Sequence, residues 1–208
     1  MKPNDTHIVY GVTGGIGAGK SEILRYISAH YDCRVLKADE VGRELMRKGR
    51  SVYKALLEGF GPEILLPDGE IDRTKLAEWI FSDPALQKKA NEIEHPIIRD
   101  SIIRRIRRAK TRHVFLEAAL LKEGDLIPLC QAVIVVTASR DVRVERLMAS
   151  RGYTREKSLR VMDGQLQAED FLRLADHVID TGGSLPESCE KTRLLMAELG
   201  VPLKHDTV

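Results

Sequence analysis

The sequence predicts an α/β fold in which a five-stranded parallel sheet is covered by helices on both faces. Segments typical of strands alternate with segments of helical periodicity along the chain. Nearly every predicted strand is a continuous apolar run, such as HIVYGVT at residues 7–13 and AVIVV at residues 132–136. Strands that are apolar on both faces are typical of a parallel sheet buried between two helical layers.

The first part of the chain is predicted to hold two strands and two helices. The first strand is predicted at residues 7–13, a short apolar run rich in β-branched residues. The second is predicted at the shorter segment 34–36. Helices are predicted at residues 21–30 and 39–48, where apolar side chains recur at helical spacing.

Two further helices are predicted from aspartate caps. Asp72 precedes a helix that runs to Phe81, and Asp83 precedes Pro84, a residue favoured at the first helical position. We expect the helical pattern to break at Pro96, because the residue before a proline avoids the helical region. A basic amphipathic helix then follows, with isoleucines at a spacing of four: Ile98, Ile102 and Ile106.

The helices of the second half are also predicted from their N-terminal caps. Ser139 and Thr154 precede segments of helical periodicity, and Ser184 with Glu187 forms the pattern of a capping box. These helices alternate with three apolar strands, at residues 113–116, 132–136 and 177–179.

The long helical stretch between the second and third strands predicts an insertion into the sheet domain. We assign residues 47–110 to this helical insertion, and residues 140–174, which are rich in charge, to a lid segment. The core then consists of residues 1–46, 111–139 and 175–208.

Composition excludes several classes of protein. The 208 residues include 33 Lys and Arg and 31 Asp and Glu, so the net charge of +2 gives no global field for nucleic acid or acidic membranes. Three widely spaced cysteines argue against a disulfide framework, and no apolar run is long enough to span a bilayer. We expect a monomeric cytoplasmic protein whose partner is a small molecule, with neither nucleic acid nor membrane as a partner.

A glycine-rich segment between the first strand and the first helix fits the pattern G-x-x-x-x-G-K-[ST]. Such a loop turns successive backbone N–H groups toward phosphate oxygens, and the helix N-terminus adds partial positive charge. Lys20 is expected to contact the β- and γ-phosphates, and Ser21 to offer its hydroxyl to Mg²⁺. This motif predicts a P-loop NTPase that binds a nucleoside triphosphate through Gly15, Ile16, Gly17, Ala18, Gly19, Lys20 and Ser21.

Other features narrow the class of P-loop protein. The chain has no Asn-Lys-x-Asp guanine signature and no Leu-Ser-Gly-Gly-Gln signature of transporter ATPases. A helical insertion and an arginine-rich lid segment suit a kinase, because phosphoryl transfer to a small molecule needs an acceptor pocket and a cover that excludes water.

Further motifs follow the phosphate loop in a distinctive order: ADEVGREL at residues 38–45, DGEIDR at 68–73, EHPI at 94–97 and ADHVID at 175–180. In this order the chain resembles the dephospho-CoA kinase family over nearly its whole length. The resemblance implies ATP and Mg²⁺ as cofactors. It also implies transfer of the γ-phosphoryl group of ATP to the ribose 3′-hydroxyl of dephospho-CoA, the last step of coenzyme A biosynthesis.

The resemblance also implies roles for single residues. Asp39 would accept the proton of the 3′-hydroxyl, Arg146 would reach the ATP phosphates from the lid segment, and His95 and Phe81 would contact the acceptor. From the residues alone, Asp39 could instead cap a helix, His95 could be structural, and Phe81 could belong to the core. Arg146 could lie on a solvated helix face, the place to which we assign Arg143, Arg155, Arg160 and Arg173.

Three positions depart from the family pattern. Lys37 stands where the family has a second aspartate, and an ammonium so close to Asp39 would weaken that carboxylate as a base. Glu117 replaces an aspartate and could still hold a magnesium-bound water, while Glu22 replaces a threonine. These departures leave open the alternative of a catalytically weakened regulator that binds nucleotide. A related kinase with another acceptor, such as a nucleoside monophosphate, also stays open, because no acceptor contact has a motif as sharp as the phosphate loop.

Overall fold

A computed structural model describes residues 6–119, 121 and 125–204. Its strands are β1 (Ile8–Thr13), β2 (Cys33–Lys37), β3 (His113–Glu117), β4 (Ala132–Thr137) and β5 (His177–Asp180). They form one sheet in the order β2–β3–β1–β4–β5, and each pairing is parallel. The predicted five-stranded parallel sheet is therefore confirmed.

Helices connect the strands and cover the sheet. They are α1 (Lys20–His30), α2 (Ala38–Leu45), α3 (Ser51–Phe60), α4 (Arg73–Ser82), α5 (Pro84–Arg107), α6 (Arg140–Arg151), α7 (Arg155–Asp163), α8 (Ala168–Leu172) and α9 (Leu185–Glu198). Short 3₁₀ helices lie at Pro62–Ile64 and Ile127–Leu129. None of the helices in the described ranges is long and apolar enough to cross a lipid bilayer.

Strand residues alternate between two buried clusters, one on each face of the sheet. On β3, for example, Val114 and Leu116 join one cluster and Phe115 joins the other. The first cluster includes Ile102 of α5, and the second includes Ile27 of α1. Burying each such side chain contributes about 1.5–3 kcal/mol. This two-sided burial is the physical reason that the strands are apolar throughout.

The helical insertion has a hydrophobic cluster of its own. Its buried members come from α3, from the first 3₁₀ helix, from the segment just before α4 and from α4: Val52, Tyr53, Leu56, Ile64, Ile71 and Leu76. Asp72 caps α4 as predicted, since its Oδ1 accepts a hydrogen bond from the backbone N–H of Lys75 at 3.0 Å.

The expected break at Pro96 is wrong, because α5 is one continuous helix from Pro84 to Arg107. A proline inside a helix loses one backbone hydrogen bond and crowds the preceding turn. Packing on both sides of Pro96 outweighs that cost. Ile93 contacts the cluster of the insertion, whereas Ile102 is fully buried in the sheet cluster.

The predicted caps of the later helices are confirmed. The backbone N–H of Val142 donates to Ser139 Oγ at 3.4 Å, and Thr154 Oγ1 accepts from the next helix in the same way. Ser184 and Glu187 form the predicted capping box at the start of α9. Local sequence thus determines where these helices begin.

A buried histidine in β3 makes stability depend on pH. His113 stacks on Tyr10 with ring centroids 6.1 Å apart, and its Nδ1 has no hydrogen-bond partner among the described residues. Burial lowers the pKa of His113 below its usual 6.5, an effect increased by the neighbouring Arg112. Because the unfolded chain binds this proton more readily, the free energy of unfolding should fall as pH drops through 6.5 toward the lower folded value.

We therefore expect His113→Phe, which keeps a ring against Tyr10, to reduce the pH dependence of stability between pH 5 and pH 7. Urea unfolding at several pH values measures this dependence. His30→Phe, at an exposed position, is the matched control and should behave like the unaltered protein. An unchanged dependence in His113→Phe would show that the buried imidazole is not responsible.

Candidate functional site

The phosphate loop, residues 14–21, curls between the end of β1 and the start of α1. Gly14 has φ +144°, and a Cβ there would lie 2.1 Å from the carbonyl oxygen of Val136, so a side chain is sterically excluded. Gly19 lies at the N-cap of α1 in the left-handed region. The first amides of α1 therefore face the end of the sheet, where an anion can accept hydrogen bonds from them.

Lys20 folds back over this loop. Its Nζ donates hydrogen bonds to the carbonyl oxygens of Gly14 at 2.6 Å and Gly15 at 3.2 Å. Burial lowers the pKa of Lys20, and the nearby negative charge of Glu117 partly opposes this shift. A partly desolvated ammonium interacts strongly with anions, so the site is suited to phosphate oxygens.

The loop opens into a cavity of about 840 Å³, here called the loop cavity. It brings together most of the residues predicted for the site, and these come from four parts of the chain: the phosphate loop, the junction of β2 and α2, the end of β3, and α6. Its lining includes Ile16, Gly17, Ala18, Gly19, Lys20, Ser21, Lys37, Asp39, Glu117, Arg146 and Arg151.

Asp39 is the second residue of α2 and lies in its first turn. The alternative that Asp39 caps a helix is wrong, because the N-cap position is Lys37 and no side chain caps α2. Asp39 also lines a second cavity of about 420 Å³ between α2 and α5, here called the α2–α5 cavity, together with Arg43, His95 and Arg99. One carboxylate therefore borders both cavities.

The two residues predicted to contact an acceptor have different surroundings. His95 of α5 lines the α2–α5 cavity with Asp39. Phe81, near the end of α4, is 82% exposed and lines neither the loop cavity nor the α2–α5 cavity. The alternative that Phe81 belongs to the core is therefore wrong.

Arg146 of α6 is held at the loop cavity by a residue that sequence reasoning missed. Its Nη1 donates to Thr181 Oγ1 at 2.9 Å, and its Nη2 donates to the Thr181 carbonyl at 2.6 Å. The Thr181 hydroxyl donates in turn to the carbonyl of Ala18 at 2.8 Å. Arg146 is therefore not on a solvated face. The available signal was position, because Thr181 follows β5 at the carboxyl edge of the sheet, where ligands gather.

Comparisons with known proteins identify the family. The sequence model of the family described as dephospho-CoA kinase matches residues 8–187. The chain is 37% identical over 207 residues to a dephospho-CoA kinase of Moorella thermoacetica, covering 95% of each chain. The chain belongs to the dephospho-CoA kinase family. The resemblance inferred from the motifs is confirmed.

Solved structures support the fold of this dephospho-CoA kinase family member. TT1252 from Thermus thermophilus superposes with a TM-score of 0.81 at 30% identity, covering 94% of this chain and 99% of that one. A dephospho-CoA kinase from Campylobacter jejuni gives a TM-score of 0.68 at 21% identity, covering 92% and 96%. The P-loop fold class is thereby confirmed.

Lys37 and Glu22, two of the residues that depart from the dephospho-CoA kinase pattern, each form an ion pair. Lys37 donates to Glu40 Oε1 at 2.9 Å, and this bond raises the pKa of Lys37. The cation is therefore directed at Glu40. Glu22 pairs with Arg25, so its charge beside the loop is partly offset. Leu120, three residues after Glu117, lies outside the described residues.

Oxygen donors in the loop cavity fit a magnesium ion. The Ser21 hydroxyl and the carboxylates of Asp39 and Glu117 line the same space. Mg²⁺ prefers such hard oxygen ligands and usually takes one or two carboxylates together with substrate phosphates. Burial raises the pKa of Glu117, partly opposed by Lys20 and Lys37, so a nearby cation would favour its charged form.

We expect Glu117→Gln to separate stability from activity. Because the pKa of Glu117 is raised in the folded protein above its usual 4.5, stability falls as pH rises from 4.5 toward the raised value, and the full penalty of the charge is present above it. The variant should therefore melt at the same temperature as the unaltered protein or higher at pH 8 without nucleotide. At limiting Mg²⁺ the rate of ADP formation by the variant should be about 10-fold lower than that of the unaltered protein, a loss typical of residues that orient metal ligands.

Thermal melting at pH 5 and pH 8 and a magnesium titration of the rate measure the two effects. Glu44→Gln, on α2 but outside the lining of the loop cavity, is the control and should leave the magnesium requirement unchanged. A lower melting temperature of Glu117→Gln at pH 8, or an unaltered magnesium requirement, would contradict the assignment.

Proposed function

We propose that this chain transfers the γ-phosphoryl group of ATP to the ribose 3′-hydroxyl of dephospho-CoA, giving coenzyme A and ADP. One observation carries the proposal: Asp39 borders both the loop cavity and the α2–α5 cavity. A carboxylate between a phosphate site and a second pocket can orient an acceptor hydroxyl toward the γ-phosphorus. Membership of the dephospho-CoA kinase family supports this acceptor.

The triphosphate is proposed to lie in the loop cavity on the backbone of Gly15, Ile16, Gly17, Ala18, Gly19, Lys20 and Ser21. When the triphosphate binds, the ammonium of Lys20 leaves the carbonyl oxygens of Gly14 and Gly15 and contacts the β- and γ-phosphate oxygens instead. Its positive charge then offsets the negative charge of the transferring group. Arg146 donates to phosphate oxygens from the lid segment, since a guanidinium stays charged and can donate two bonds to one phosphate.

Asp39 is proposed to accept the proton of the 3′-hydroxyl while the oxygen of that hydroxyl forms a bond to the γ-phosphorus. The bond from that phosphorus to the bridging oxygen breaks, and ADP leaves. Because such transfer is loose, orientation of the hydroxyl matters more than a strong base. His95 and Phe81 are proposed to contact the acceptor, supported for His95 by its place in the α2–α5 cavity.

Mg²⁺ is proposed to bind Ser21 together with phosphate oxygens, and to supply neutralisation of phosphate charge. Glu117 is proposed to hold a water of that ion. The hydroxyl and carboxylate donors that line the loop cavity support both proposals.

We propose residues 47–110 as the acceptor-binding insertion, residues 140–174 as the lid, and residues 1–46, 111–139 and 175–208 as the nucleotide-binding core. A separate hydrophobic cluster in the insertion supports its assignment as a unit of its own, residues 47–110. The lid is supported by Arg146 and Arg151, which reach the loop cavity from α6.

The chain is proposed to act as a monomer in the cytoplasm on a small-molecule acceptor, with no nucleic-acid or membrane partner. The near balance of acidic and basic residues supports the absence of a polyanionic partner. Three free cysteines are in keeping with a reducing compartment.

A coupled ADP-release assay with a panel of acceptors tests the proposal. We expect turnover with dephospho-CoA and ATP, and little with nucleoside monophosphates. Faster turnover with a nucleoside monophosphate would assign another acceptor. Tight ATP binding with no ADP formed on any acceptor would instead indicate a nucleotide-binding regulator.

A further inference from the structure

The peptide groups around Ile16 in the phosphate loop are held from two sides by the lid segment. The backbone N–H of Ile16 donates to Gln165 Oε1 at 2.8 Å. Its carbonyl accepts a hydrogen bond from Arg143 Nε at 2.8 Å. Arg143 belongs to α6, and Gln165 lies between α7 and α8, so two separate parts of the lid contact one residue.

Packing around these hydrogen bonds is close. A Cβ at Gly15 would lie 2.3 Å from Nη2 of Arg143, so the guanidinium rests directly against the loop backbone. At Gly17, with φ +78°, a Cβ would lie 2.9 Å from the carbonyl oxygen of Arg143. The Ile16 side chain also packs on a lid cluster formed by Val144, Leu147 and Met162.

Arg143 and Gln165 differ in their relation to the ligand space. Gln165 lines the loop cavity, whereas Arg143 is not among the residues of its lining. Burial lowers the pKa of the Arg143 guanidinium, and a half-buried cation is retained in a fold at a cost that its hydrogen bonds must offset. The expectation of a solvated Arg143 is therefore wrong.

We propose that Arg143 and Gln165 are positioning residues that hold the backbone of Ile16 from both sides and thereby keep the following amides of the phosphate loop, residues 17–21, oriented toward the triphosphate. The inference rests on the proposed nucleotide binding by this loop. Backbone amides bind phosphate well only when they are already oriented, because reorientation on binding costs free energy. Removing either side chain should therefore weaken nucleotide binding more than it slows the chemical step.

The test uses Arg143→Met and Gln165→Met, which keep an unbranched side chain of similar length and remove the hydrogen bond. The dissociation constant of ADP, measured by calorimetry with Mg²⁺, should rise about 10-fold in each, equivalent to about 1.4 kcal/mol. The rate at saturating ATP and the KM for dephospho-CoA should change less than about 2-fold.

The double variant gives the sharper result. If both side chains act through Ile16, the second substitution should add little, so the two effects on ADP binding should be non-additive. Hydrogen exchange of residues 14–21 without nucleotide should be faster in both single variants. Arg140→Met removes the α6–α7 ion pair with Asp163 without touching the loop, and should leave ADP binding unchanged.

Unchanged ADP binding in both single variants, or additive effects in the double variant, would overturn the inference. A similar weakening in Arg140→Met would do so too, because it would indicate a general loss of lid structure. These results are independent of the acceptor, since an unaltered protein that binds ADP but does not phosphorylate dephospho-CoA would contradict only the proposed function.

Discussion

Lys20→Ala should reduce turnover about 10³-fold, at the upper end of the loss expected when a donor to developing negative charge is removed. Nζ of Lys20 donates to two loop carbonyls, whereas Lys37, the other lysine among the described residues that line the loop cavity, donates to Glu40 instead. The measurement is the rate of ADP release at saturating ATP and dephospho-CoA. Near-normal activity would refute the assigned role.

A matched variant, Lys20→Met, distinguishes lost chemistry from lost structure. Because burial lowers the pKa of Lys20, the charged form is disfavoured in the folded protein without nucleotide. Replacing it with an apolar chain of similar length should leave the melting temperature unchanged or raise it, while turnover stays lost. A large drop in melting temperature would point to a structural role for the ammonium.

Asp39→Asn should lower kcat by about 10²-fold, the lower end of the range for general acid–base groups, because orientation of the hydroxyl is partly kept. The amide can still accept a hydrogen bond from the 3′-hydroxyl but cannot take up its proton. ATP binding should change little, since Asp39 belongs to α2 and is not part of the phosphate loop. Kinetics with both substrates varied measure the split.

Glu44→Gln is the control for Asp39→Asn, because it removes a charge from α2 at a residue that lines neither the loop cavity nor the α2–α5 cavity. It should retain most of the activity. An unchanged rate in Asp39→Asn would remove Asp39 from the reaction, and a rise in the dissociation constant of ATP without loss of kcat would assign it to nucleotide binding.

Much of the fold follows from local sequence. Continuous apolar runs predict all five strands to within about two residues, and side-chain caps such as Asp72 and Ser184 predict helix starts. The phosphate loop is equally local, since it needs only glycine, lysine and serine at fixed spacing. These features depend on residues close together in the chain, so one sequence is sufficient to predict them.

The rest depends on contacts between distant residues. Arg143 lies 127 positions from Ile16, and Gln165 lies 149 positions from it, so no local pattern marks either as a contact of the loop. The helix through Pro96 was missed for the same reason, because tertiary packing outweighs a local penalty. The meeting of Asp39 and His95 at one cavity also depends on how the insertion packs on the sheet domain.

The unbroken course of α5 has a mechanical consequence. Its early turns belong to the cluster of the insertion through Ile93 and Ile97, and its later turns anchor beneath the sheet through Ile102 and Ile106. A continuous helix that is packed at both ends cannot act as a flexible hinge. Movement within α5 is therefore expected either to tilt the helix as a whole or to bend it at Pro96, which lacks the backbone N–H that would donate a hydrogen bond within the helix.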